Sequence, residues 1–113
     1  MSSQRELHDH FFREAKRNGY RSRAAYKLID INDKRNILKR GDQVLDLGAA
    51  PGSWLQVVSE RIGSTGKVIG VDLTEIEGSL PENVITIQDD VTTLTPTSFE
   101  GVTAFDVILS DMA

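Results

Sequence analysis

Residues 44–54 read Val-Leu-Asp-Leu-Gly-Ala-Ala-Pro-Gly-Ser-Trp, and this run limits the fold more than any other part of the chain. A short apolar strand, Gln43 to Leu47, feeds a glycine turn, and the turn feeds a helix expected from about Pro51. Gly48 lets the backbone pass close to a ligand where a Cβ would collide. Pro51 suits the first turn of a helix, because its missing N–H has no partner to lose there. The loop is therefore expected to aim free backbone N–H groups at whatever sits above the carboxyl end of the strand. It has no lysine or arginine between Gly48 and Glu60, and Asp46 stands just before it. Such a loop is a poor cradle for a triphosphate and a better one for a small ligand carrying a carboxylate and a positive centre.

Two further signals follow at the right distances. A second strand, Lys67 to Val71, ends in Asp72. An acid at the end of the second strand of a βαβ unit, about 20 residues past the glycine turn, is placed to accept both hydroxyls of a ribose. A third strand, Val84 to Gln88, ends in Asp89-Asp90, and Asp90 is placed to accept a hydrogen bond from an adenine amino group. A glycine turn and two acids at three strand ends suit an adenosine-containing cofactor. A dinucleotide would want Gly-x-Gly-x-x-Gly after the first strand, but Ala50 stands where the second glycine belongs. A dinucleotide-dependent oxidoreductase is thereby disfavoured.

Asp46-x-Gly48-x-x-Pro51-Gly52 resembles instead the first motif of S-adenosylmethionine-dependent methyltransferases. The negative charge around the pocket suits a sulfonium ligand. The resemblance narrows when three stretches are taken together: Asp46 to Trp54, the upstream Tyr20-Arg21-Ser22-Arg23-Ala24-Ala25-Tyr26-Lys27-Leu28, and Leu109-Ser110-Asp111-Met112-Ala113. In this order they resemble the FtsJ family of RNA ribose 2′-O-methyltransferases, in particular the bacterial and archaeal ribosomal-RNA uridine enzymes. The similarity runs from about Gly19 onward, and Ser53 departs from the second glycine that many members carry there. The resemblance implies an α/β, Rossmann-like methyltransferase fold, of which four parallel strands in the order 3-2-1-4 can be placed, with helices before them. It implies cofactor contacts from Asp46, Gly48, Pro51, Gly52, the backbone N–H of Trp54, Asp72, Asp90 and Asp111. Family members use a lysine–aspartate–lysine–glutamate tetrad, and by position Lys27 matches the first lysine and Asp111 the aspartate.

The net charge of −4 looks wrong for an RNA-binding protein until it is divided along the chain. Residues 1–43 hold eleven lysines and arginines against six acids, while residues 44–113 hold two against eleven. The basic third is expected to meet phosphate through Arg21, Arg23 and Lys27, and the acidic remainder to hold the cofactor. The basic part reads as two helices, one from about Gln4 to Asn18 stopped by Gly19, and one from a Ser22 N-cap to about Lys34. In the second, Ala24, Ala25, Leu28 and Ile31 form the apolar side, and Arg23, Lys27, Asp30 and Lys34 share the opposite face. His8 and His10 are spaced too poorly for helical metal ligands, and no metal site is expected. The absence of cysteine and of any long apolar run excludes disulfide staples, thiolate zinc sites and a helical membrane span, and suits the cytoplasm.

A ribose hydroxyl is a weak nucleophile facing a sulfonium that is already a good electrophile, so the main task is to place the oxygen in line with the methyl group and manage the proton. A lysine serves both needs. Base amino-group methyltransferases usually carry an Asn/Asp-Pro-Pro-aromatic motif after the fourth strand. Ser110-Asp111-Met112-Ala113 lacks it and favours a hydroxyl target. The chain is read as one apparently truncated domain, with residues 1–42 facing RNA and residues 43–113 forming a cofactor-binding half-sheet. The tetrad's second lysine and glutamate would lie on later strands, and the segment Phe105 to Ser110 would be an exposed apolar edge prone to association. A half-domain that binds S-adenosylmethionine or RNA without turnover is the alternative that these absences support.

Overall fold

Strand β1 (Gln43–Leu47) alternates its side chains between two environments, and this alternation organises the molecule. The computed structural model describes residues 19–95, 98, 99, 102 and 104–111; the helix expected over Gln4 to Asn18, with His8 and His10, lies outside them. Val44 enters a core with Ala25 and Leu28 of helix α1 (Ala24–Arg35) and with Trp54, Leu55, Val58 and Ile62 of helix α2 (Ser53–Ile62). Leu45 faces the other way, into a smaller cluster with Ile69, Val71 and Val102 that Phe99 and Phe105 join. Strands β2 (Lys67–Asp72), β3 (Val84–Gln88) and β4 (Val107–Ser110) complete a parallel sheet in the order β3-β2-β1-β4, as expected.

Most boundaries fall within two residues of the expected ones, and the shifts have local causes. Helix α2 starts at Ser53 rather than Pro51, because Gly52 occupies the N-cap with φ +112°. Helix α1 is capped by Arg23, whose side chain makes no cap bond. The hydroxyl of Ser22, expected to cap, pairs with that of Ser53 at 2.8 Å and ties the starts of the two helices together. Along α1 the buried residues are Ala25, Leu28 and Asn32; Asn32 Oδ1 accepts the N–H of Leu38 at 2.9 Å and fixes the turn that leads into β1. The fourth strand begins at Val107, since Phe105 packs edge-on against Phe99 at 5.3 Å and Asp106 bonds the backbone of Gln43.

Helix α2 lies very close to β2. A Cβ built on Gly70 would meet the Leu55 methyl carbons at 2.7 and 2.8 Å. Leu55 is fully buried and has nowhere to retreat. Gly70→Ala is therefore expected to destabilise the fold by about 1–3 kcal/mol through overpacking, read as a lower urea midpoint at unchanged m-value.

Candidate cofactor and catalytic site

At one edge of the parallel sheet Gly48 follows β1, Asp72 ends β2, Asp89 and Asp90 follow β3, and Asp111 follows β4. The turn after β1 is held more tightly than the sequence predicts. Gly48 and Ala49 both donate their N–H groups to Val71 O, at 2.8 and 3.0 Å, and Ala50 N–H donates to Asp72 Oδ2 at 2.9 Å. The expectation of free amides along this turn therefore fails for these three. β2 runs far enough alongside the turn to supply acceptors, so ligand-facing donors are left to the first turn of α2, where helix geometry gives the N–H groups no partner within the helix. The indole N–H of Trp54 donates to Ala24 O at 2.7 Å, so the ring fastens α2 to α1.

Asp46 is the most unusual group of the site. It shares a sheet face with Val44, which turns its carboxylate toward the helices, and it is only 2% exposed. Its register neighbours are Gly70 on β2 and Leu109 on β4, and neither offers a polar side chain. Asp46 Oδ2 is buried without a hydrogen-bond partner. Burial, reinforced by the nearby Asp111 and Asp72 carboxylates, raises its pKa to about 7. Asp46 borders a cavity of about 110 Å³ lined also by Gly48, Ala50, Pro51, Trp54 and Asp111. A buried acceptor beside a second carboxylate fits the cationic, amino-acid end of a ligand such as S-adenosylmethionine. The cavity is too small to enclose a whole nucleoside cofactor.

Asp72 and Asp90 stand at that edge with part of their capacity committed. Asp72 accepts Ala50 N–H on Oδ2 and Thr74 N–H on Oδ1, each at 2.9 Å, and so holds two loops as well as facing the edge. Each carboxylate oxygen has a further lone pair for a ligand. Asp90 Oδ1 accepts the N–H and hydroxyl of Thr92, at 2.9 and 2.7 Å, and these bonds hold its pKa below the usual carboxylate range.

On the other side of Asp111 the basic face begins. Lys27 Nζ donates to Asp111 Oδ1 at 2.7 Å, joining residues from α1 and the end of β4. With Arg23, Ala24 and Tyr26 the pair lines a second, open cavity of about 460 Å³, and Ala24 and Asp111 border both cavities. Arg23, Lys27, Asp30 and Lys34 are all exposed along α1, as the spacing predicts, with Lys34 paired to Asp30 at 3.2 Å. Arg21 is partly buried, whereas Arg23 and Lys27 of the expected RNA-facing set are exposed. Its guanidinium is bonded to the backbone carbonyls of Pro51, Glu77 and Ser79. No sequence signal marked this role, nor that of Gln56, whose amide bonds Arg21 N and Gly19 O at 2.8 and 2.9 Å. Among the described residues no group of three or more metal-ligating side chains converges, and no helix is long and apolar enough to cross a membrane.

Residues 20–113 match the FtsJ-like methyltransferase family. Ribosomal RNA large subunit methyltransferase E of Syntrophobacter fumaroxidans is 49% identical over 111 residues, which cover 95% of this chain and 55% of that protein. The protein of the same name from Methanothrix thermoacetophila is 50% identical over 114 residues, covering 96% of this chain and 42% of its own length. The chain thus spans about half the length of the curated relatives it matches. A crystal structure from Plasmodium falciparum, described as a ribosomal RNA methyltransferase, superposes with a TM-score of 0.71 at 36% identity, covering 83% of this chain and 57% of that one.

Proposed function

The chain belongs to the FtsJ-like methyltransferase family, and from that membership and the geometry of the site we propose that it serves S-adenosylmethionine-dependent methyl transfer to a ribose 2′-hydroxyl of RNA, with a uridine of large-subunit ribosomal RNA as target. The observation that carries the proposal is the Lys27–Asp111 pair, formed by residues 84 positions apart at the boundary between an acidic cavity and an open basic one. The cofactor would supply an electrophilic methyl group, and the side chains would do the rest. Asp46 would face the ligand's positive end, Asp72 would accept from the ribose hydroxyls, Asp90 from the adenine amino group, and Gly48, Pro51, Gly52 and the Trp54 amide would shape the turn around it. Arg23 and Lys27 would meet the RNA, with its target nucleoside in the cavity between them. Lys27, as the neutral amine, would orient the 2′-hydroxyl and take its proton as the oxygen–carbon bond forms and the methyl–sulfur bond breaks, and Asp111 would hold the resulting ammonium in place. A cytoplasmic setting would suit a ribosomal RNA target.

Calorimetric titration with S-adenosylmethionine and with NAD tests the cofactor. Binding of the first alone is expected, because Ala50 and Pro51 replace the glycine pattern that a pyrophosphate needs; binding of NAD instead would overturn the proposal. Asp72→Ala is expected to weaken S-adenosylmethionine binding about tenfold or more, through lost charge-assisted hydrogen bonds of roughly 1.5–3 kcal/mol each. It also strands the Ala50 and Thr74 amides, so thermal stability falls with it. Asp90→Ala, with one adenine contact at stake, is expected to weaken binding less in the same titration.

A further inference from the structure

Arg21 is bound from several sides. Its Nη1 donates to Pro51 O at 3.0 Å and to Glu77 O, and its Nη2 donates to Ser79 O at 2.9 Å. Pro51 belongs to the turn after β1; Glu77 and Ser79 belong to the loop after β2. The two segments flank the edge where the cofactor is proposed to lie. Both segments leave room for the arginine: a Cβ on Gly78, in the loop after β2, would sit 3.0 Å from Arg21 Nη2, and one on Gly52, at the N-cap of α2, would sit 3.2 Å from Arg21 Cδ. Ile76, in the same loop, is buried in the main core, so the loop is anchored beside the guanidinium as well as by it. The backbone of Arg21 is fixed in turn, with its N–H donating to Gln56 Oε1 at 2.8 Å.

We propose that Arg21 is a positioning residue, a staple that sets the spacing of the two cofactor-edge loops, rather than a contact to RNA phosphate. A planar fork with several N–H groups can serve three carbonyls at once, and a lysine ammonium on a flexible stem cannot reproduce that geometry. Asp72 ties the same two segments through Ala50 N–H and Thr74 N–H. The segments are thus joined by an anion accepting from amides and by a cation donating to carbonyls. Arg21 lies two residues before Arg23 and six before Lys27, so the staple also fastens the start of the basic helix to the cofactor edge. The proposal rests on the cofactor assignment above.

The test compares the parent chain with Arg21→Lys, Arg21→Gln and Gly78→Ala. Hydrogen exchange is expected to quicken in residues 48–52 and 73–80 together in both Arg21 variants, while β1 and β2 stay protected. S-adenosylmethionine affinity is expected to fall about tenfold in Arg21→Lys, with the salt dependence of RNA binding unchanged. Gly78→Ala keeps the arginine and displaces its partner loop, so it is expected to give the same loop exchange and the same loss of cofactor affinity should Arg21→Gln fail to fold. Unchanged exchange in both loops would overturn the staple. So would cofactor affinity within about twofold of the parent together with an RNA salt slope reduced by about 1, since that is the behaviour of a phosphate contact. If the parent binds no S-adenosylmethionine, the proposed function falls, and the exchange measurement still decides the staple.

Discussion

In a protein extended to the length of the relatives, Lys27→Ala and Asp111→Asn are each expected to slow methyl transfer to large-subunit ribosomal RNA by about 10²–10⁴-fold, the range of a positioned proton-handling group. The two side chains are 62% and 34% exposed, and an ion pair so open contributes about 1 kcal/mol or less to folding. Thermal unfolding is therefore expected to move by only a few degrees. Loss of rate without loss of fold separates a chemical role from a structural one. Lys27→Arg is expected to stay slow despite its charge, because a guanidinium presents donors on a larger, planar head and does not give up a proton. The double variant is expected to be about as slow as either single variant, since groups acting as a unit are strongly non-additive. Incorporation of labelled methyl groups measures the rate, and filter binding at several salt concentrations measures RNA affinity. Rate losses in the double variant equal to the product of the single ones would mean that the 2.7 Å contact has no part in the chemistry.

What the sequence made legible is what backbone periodicity and turn chemistry control. The apolar runs at Gln43, Lys67 and Val84, separated by crossovers too long for hairpins, dictate parallel pairing, and the order 3-2-1-4 follows from handedness and the position of the glycine turn. The convergence of Asp72, Asp90 and Asp111 at one edge follows from the same logic. What stayed hidden depends on contacts between distant backbone groups. The turn at Gly48 reads in sequence as one that offers its amides to a ligand, yet whether its N–H groups are free depends on how far β2 extends alongside it. Ser22 reads as a cap because its residue type and place suit one, but Ser53 lies within reach and claims the hydroxyl. Arg21 sits among basic residues and reads like them. Only the fold reveals that three carbonyls from two loops converge on it.

Asp46 opposes stability to function, and Asp46→Asn is expected to move the two in opposite directions. In the folded chain its pKa rises from 3.8 to about 7, because the carboxylate is buried and lies near Asp111 and Asp72. The sign follows from proton binding. Between those values the folded state holds a proton that the unfolded state has released, so this group's contribution to stability is full below pH 3.8 and is lost as pH rises to about 7. A shift of this size corresponds to up to about 4 kcal/mol lost at alkaline pH. Asparagine has nothing to ionise, although its amide inherits the apolar surroundings, so the variant is expected to recover about 1–3 kcal/mol at pH 8 and little at pH 5. The melting temperature at pH 8 would rise accordingly, by several degrees. Cofactor binding is expected to collapse in the same variant, about a hundredfold or more, because Oδ2 is buried without a partner and is the acceptor proposed for the ligand's positive group. In the parent, a cation favours the ionised carboxylate, so binding near pH 6 must expel a proton; affinity is expected to fall toward tenfold per pH unit below about 7. Calorimetry in buffers of different ionisation enthalpy reads that proton directly. A parent affinity flat from pH 6 to 8, or an asparagine variant that binds S-adenosylmethionine as tightly as the parent, would remove Asp46 from the ligand and leave its burial without a function.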